Sequence, residues 1–107
     1  IAAEPDGADC LRASARAGRA IRLPATRATS MIYLRCAEPS AAAWPLVAQG
    51  VDGFVAVDDA EADAAVRALA AEGIATGVSG ACGLAALTAV SGDWHGRSAM
   101  IVVTEGT

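Results

Sequence analysis

The sequence predicts an α/β fold, a three-layer sandwich in which helices flank a mostly parallel sheet. Three observations carry that prediction. Strand-like and helix-like stretches alternate along the 107 residues. One helix, beginning after Asp58, carries a full set of start and stop signals. A continuous apolar run at 100–103 has the composition of a central parallel strand covered on both faces.

The elements follow in order. Residues 1–3 read as the end of a strand. Residues 7–17 read as a helix, with Asp6 as its N-cap and Gly18 just past its end. Residues 19–35 are irregular and rich in Thr, Arg and Pro. Ser40 caps a short helix over 41–49, and Pro45 must sit in its first turn or kink it. The stretch 54–57 is a short buried strand by composition. Asp58 and Glu61 then form a capping box. Ala62, Ala65, Val66, Leu69 and Ala70 recur at helical spacing, Asp63 and Arg67 make an i,i+4 pair, and Gly73 stops the helix. Ser79 caps a second helix through about Val90, apolar nearly all round and so buried on most sides. Residues 91–98 read as a polar loop. The whole pattern describes a Rossmann-like sheet with flanking helices.

Composition bounds the function. The length suits one domain. The apolar fraction is 54%, but much of it is alanine and aromatics are only 4%, so the core must be close-packed rather than deep. The net charge is −4 and the arginines are scattered, which argues against a nucleic-acid partner. No apolar stretch reaches the ~20 residues of a membrane-spanning helix. Cys10, Cys36 and Cys82 are an odd number at wide spacing, neither a disulfide framework nor a zinc pattern. Reduced thiols in the cytoplasm are the simplest reading. The chain starts at Ile1 and stops straight after an apolar run, so both ends read as cut from a larger protein.

The chain contains no lysine and a single histidine, His95, in the loop S-G-D-W-H-G-R. A lone histidine without a positioned partner reads as a surface residue. Gly77, Gly80 and Gly83 stand where a loop becomes a helix. Such glycines either free amides for an anion or allow tight packing, and packing is favoured here. Asp58, Asp59, Glu61 and Asp63 read as helix-start residues rather than metal ligands, and Glu4 and Asp6 read the same way. Trp44, Trp94 and the cysteines read as packing residues. Thr104 follows the run 100–103 directly, and in open α/β sheets ligands gather at the C-terminal ends of strands. T-E-G is also good turn sequence, so the pattern leaves both readings of Thr104 open.

Six segments taken together carry a resemblance. E-P-D-G-A-D-C-L (4–11), T-S-M-I-Y-L-R-C-A-E-P-S (29–40), A-W-P-L (43–46), G-V-D-G-F-V-A-V-D-D-A-E (50–61), G-V-S-G-A-C-G-L-A-A-L (77–87) and V-V-T-E-G-T (102–107) occur in that order. They resemble the C-terminal part of diaminopropionate ammonia-lyases, with a looser version in serine racemases and threonine dehydratases. The resemblance covers nearly the whole chain. It implies a fold type II pyridoxal-phosphate enzyme, with residues 1–107 as a single partial domain of the tryptophan synthase beta-like fold.

The implied reaction is α,β-elimination on a small amino acid such as diaminopropionate, with the cofactor ring as electron sink. The implied assembly is a cytoplasmic homodimer of the full-length enzyme, without nucleic acid or membrane. The Schiff-base lysine and the phosphate-holding glycine loop lie upstream in that family, so the isolated chain is expected to be inactive and to contain no catalytic residue. The resemblance places Thr104 against the pyridine nitrogen, where a neutral hydroxyl leaves that nitrogen unprotonated. It places Glu105 and Gly106 beside it, and Ser79 and Gly80 at a turn near the cofactor.

Two departures stand out. Gly77 and Val78 occupy the place where the family carries a glutamate near the ring. Glu4 and Ala8 match positions of a divalent-cation site in metal-dependent relatives, but Cys10 stands where its acid would be, and a hard cation prefers oxygen. No metal is expected. The reading from another class is a non-catalytic α/β binding or interaction module that keeps the scaffold without the lysine.

Overall fold

A computed structural model describes residues 1–90 and 96–106. The elements are β1 (Ala2–Pro5), α1 (Cys10–Ala17), a single 3-10 turn (Ile32–Leu34), α2 (Trp44–Gly50), β2 (Phe54–Val57), α3 (Asp59–Ala71) and α4 (Val78–Ala89). The α/β class and the flanking helices stand. His95 and Trp94 lie outside the described residues, as do most of the loop 91–98 and Thr107.

β1 and β2 pair in parallel, with Ala2 opposite Phe54 and Pro5 opposite Val57. The Ala2 and Asp6 amides donate to Gly53 O and Val57 O at 2.9 and 2.8 Å. These donors alternate along the strand, so Pro5, which has no N–H, falls at a position that needs none. Parallel neighbours require a long crossover, and residues 6–53 make it.

The run 100–103 corrects an expectation. It joins no ladder among the described residues, and Met100 and Val102 are 91% and 69% exposed. A parallel strand exists only where another backbone satisfies its polar groups, and the only described pair here is β1 with β2. The run lies along α4 instead. A Cβ at Gly83 would stand 3.0 Å from Ile101 Cγ2, so the glycine permits that approach.

Helix starts explain much of the rest. α3 begins as expected: Asp58 Oδ1 accepts from the Glu61 amide at 2.8 Å, and Glu61 Oε1 accepts from the Asp58 amide at 3.2 Å. Gly73, at φ 80°, follows its end. α1 starts at Cys10 rather than near Gly7, with Asp9 and not Asp6 at the N-cap. Residues 6–8 are taken by a turn in which the Ala8 amide donates to Pro5 O at 3.1 Å. Asp9 makes no side-chain cap. The buried Glu4 does that work: its carboxylate accepts from the Leu11 amide at 2.7 Å and the Arg12 amide at 3.0 Å. Gly18, at φ 72°, closes α1 in the left-handed conformation.

α2 begins at Trp44, with Pro45 in its first turn as required. The preceding residues form a turn, in which Ser40 Oγ accepts from the Ala43 amide at 3.3 Å. α4 begins one residue before Ser79, with Gly77 as its N-cap, so Ser79 is inside the helix and does not cap it. The expected Asp63–Arg67 pair does not form among the described residues. Ion pairs that do form include Asp9–Arg12, Arg22–Glu38 and Arg27–Asp6.

Helix α4 packs mainly on α3 and also touches both strands and the 3-10 turn, while α1 packs on β2. The core comprises Met31, Val57, Ala62, Ala65, Leu69, Ala81, Cys82, Ala85 and Ala86. Five of these nine are alanine, so the axes of α3 and α4 approach closely and little area is buried per residue. Met31 enters this core from an irregular segment. Asp59 positions it: its carboxylate accepts from Thr29 Oγ1 at 2.6 Å and from the Ser30 amide at 3.1 Å. The Thr29 bond is the main reason that the Asp59 carboxyl lies below its usual range. Cys10 and Cys82 are buried as expected, whereas Cys36 is exposed, shortly after the 3-10 turn.

Four outcomes are expected. Met31→Ala removes the largest fully buried side chain and costs ~2–5 kcal/mol, while Asp58→Ala costs ~1 kcal/mol, both read by urea unfolding. Burial raises the Glu4 carboxyl above its ordinary 4.5, outweighing the amide bonds that lower it. A raised folded-state value contributes stability below the ordinary value and loses it as pH rises. Relative to Glu4→Gln, the wild-type chain should therefore lose stability between pH 4 and pH 7; a constant difference would refute this. Burial pushes the Cys10 and Cys82 thiols up to about 11. An alkylating reagent at neutral pH should label Cys36 first, and the other two only on unfolding, as read by peptide mass.

Candidate functional site

Helix α4 is the floor of a groove of about 470 Å³. Ser79, Gly80, Cys82, Gly83, Ala86 and Leu87 line it from the helix. Ile1, Ala3 and Leu34 form one side, and residues 98–102 with Thr104 form the other. Glycine at 80 and 83 keeps the floor low. A Cβ at Gly80 would collide with Thr76 Oγ1 and stand 2.7 Å from Glu105 Cγ.

The residues singled out in the sequence divide into two groups. Thr104, Ser79 and Gly80 line the groove together. Thr104 is exposed there. Glu105 does not line it. Its side chain turns to the start of α4, where Oε1 accepts from the Gly80 amide at 3.1 Å. Gly106 is exposed, and nothing stands within 4 Å of a Cβ built there.

Electrostatically the groove is neutral. Among the described residues no carboxylate, arginine or lysine side chain lines it, and the Cys82 thiol stays protonated at neutral pH. Ser79 Oγ is buried without a hydrogen-bond partner among the described residues. A buried, unpaired hydroxyl is costly, on the order of 1–3 kcal/mol, so it is a group waiting for a donor or acceptor. An apolar slot with the hydroxyls of Ser79, Ser98 and Thr104 and a glycine floor fits the edge of an uncharged heteroaromatic ring. It does not fit a phosphate, because no cationic side chain among the described residues lines it.

The other proposed ligand position differs. Both oxygens of Glu4 are engaged by α1 amides, and Cys10 Sγ lies 3.9 Å from Oε1. A protonated thiol beside a carboxylate already capping a helix is a poor donor set for a hard cation.

Sequence reasoning missed Thr76. It is 3% exposed, and its hydroxyl donates to Glu105 O at 2.8 Å. Its partner is 29 residues away, so no local pattern marks it. Leu34 and Ala3 were missed as groove residues for the same reason.

Comparison with known proteins agrees with this geometry. The family model described as pyridoxal-phosphate dependent enzyme matches residues 1–106. The diaminopropionate ammonia-lyase of Escherichia coli (strain K12) is 34% identical over 95 residues, covering 84% of this chain and 24% of that protein. Maize serine racemase superposes with a TM-score of 0.84 at 38% identity, over 98% of this chain and 33% of that one. A threonine deaminase from T.th. gives 0.78 at 28% identity, over 84% and 31%. The chain thus spans about a quarter of the curated relatives' length and about a third of these two solved structures. With a family match along nearly its whole length and a neutral groove at the T-E-G segment, this chain belongs to the pyridoxal-phosphate dependent enzyme family.

Proposed function

We propose that residues 1–107 are the C-terminal part of an ammonia-lyase that performs α,β-elimination on a small amino acid such as diaminopropionate. One observation carries the reading: Thr104 and Ser79 present hydroxyls to a single uncharged groove, in a chain 34% identical to a diaminopropionate ammonia-lyase.

The chemistry supplied by pyridoxal phosphate, when bound, is that of an electron sink for loss of the α-proton and departure of the β-substituent. This chain's residues hold and orient the ring. Thr104 offers a hydroxyl hydrogen bond to the ring nitrogen without bringing charge, which leaves that nitrogen unprotonated. Ser79 offers the second hydroxyl. Leu34, Ala86 and Leu87 line the groove with apolar side chains that would exclude water from a ring held there. No lysine is present, so the amine that anchors the cofactor comes from outside this sequence, and the chain alone turns over no substrate. The full enzyme works in the cytoplasm as a homodimer under this reading.

The test is an absorbance titration of the chain with pyridoxal phosphate, followed by borohydride. Reversible binding is expected, weakened about fivefold to tenfold in Thr104→Val by the loss of one hydrogen bond. Reduction should leave an adduct at the terminal amine only. Identical titrations for the wild type and Thr104→Val would overturn the assignment. The alternative, a binding module of another chemistry, predicts only the terminal-amine reaction, with no response that depends on Thr104.

A further inference from the structure

We infer that Glu105 and Thr76 are positioning residues: together they clamp the T-E-G segment to the first turn of α4, aim Thr104 into the groove and hold the neighbouring carboxylate out of it. The inference rests on the cofactor reading for its purpose, but not for its geometry.

The first turn of a helix leaves amides without intrahelical partners, and an N-cap side chain normally satisfies the second or third of them. In α4 the N-cap is Gly77, which has no side chain. The third amide, that of Gly80, instead donates to Glu105 Oε1 at 3.1 Å, from 25 residues downstream. This is a charge-assisted bond placed where the helix dipole favours an anion. Thr76, one residue before the cap, donates its hydroxyl to the main-chain oxygen of Glu105 at 2.8 Å. One residue is therefore held at both its backbone and its side chain.

The surroundings leave room for this arrangement and for little else. A Cβ at Gly77 would lie 2.5 Å from Glu105 Oε1, and one at Gly80 would strike Thr76 Oγ1 and Glu105 Cγ. Side chains on extended backbone alternate in direction. With Glu105 turned into α4, Thr104 faces the groove, and the groove lining contains Thr104 but not Glu105. The consequence is chemical. A carboxylate beside the ring nitrogen favours its protonated form, and a hydroxyl does not. The helix start sequesters the charge that sits next to Thr104 in the sequence, so the ring edge meets a neutral partner.

The test uses the 107-residue chain with pyridoxine 5′-phosphate, which has no aldehyde and binds without reacting with amines. Amide and side-chain NMR shifts of Gly80 and Thr104 are compared in wild type, Glu105→Ala and Glu105→Gln, together with the affinity for the probe. Glu105→Ala should move the Gly80 amide upfield, shift Thr104 and weaken binding about tenfold, the equivalent of one charge-assisted bond. Glu105→Gln keeps an acceptor oxygen and should retain most of both signals. Because Glu105→Ala can simply lose structure, Gly80→Ala is the second variant. Its methyl displaces the same carboxylate, so it should reproduce the Thr104 shift, and the double variant should add little. Thr104 shifts and affinity unchanged in Glu105→Ala would overturn the inference. If the wild type does not bind the probe while Thr104 still responds to Glu105→Ala, the clamp stands and the cofactor reading fails.

Discussion

The structure depends on carboxylates that reach the open amides of helix starts. Three of its helices begin against one, and each is supplied differently. Asp58 caps α3 from the adjacent residue. Glu4 caps α1 from the end of β1, several residues upstream. Glu105 caps α4 from the far end of the chain. The first bond makes a helix. The second fixes a helix to a strand, and the third fixes the T-E-G segment to the helix that floors the groove. With so little area buried per core residue, such directional bonds specify geometry that packing alone would leave loose.

Small residues are the other half of the design. Alanine at 62, 65, 81, 85 and 86 lets α3 and α4 pack closely. Glycine at 77, 80 and 83 lets the segment 101–105 touch α4 at its backbone. The same absence of side chains that makes the core shallow leaves the groove open above α4. Fold and site are thus built from one feature, a helix with almost nothing projecting from one side.

Legibility followed the range of the interaction. The capping box of α3, its apolar spacing and its stop at Gly73 were all readable, because each is decided within one turn of the helix. The strand 54–57 was readable from composition. The start of α1 was misplaced, because the turn at 6–8 and the reach of Glu4 are not encoded by neighbours. The run 100–103 has the composition of a buried strand but no described partner strand, and composition carries no information about what stands alongside. Pattern marked Thr104 by its place after an apolar run and left its role open, whereas it marked Ser79 only as a helix cap, which the structure replaces with Gly77. Thr76 was not, since threonine before glycine is unremarkable until residue 105 is seen to pack against it.

By itself the sequence determined the α/β class, the local helix signals and the lack of any lysine. These follow from residue identity and from periodicities shorter than two helical turns. Only the tertiary structure decided that Glu105 faces α4 rather than the groove, that Ser79 is buried inside the helix rather than capping it, and that Met31 completes the core. Each of those rests on contacts between segments far apart in the chain, made by which groups can meet without a Cβ in the way.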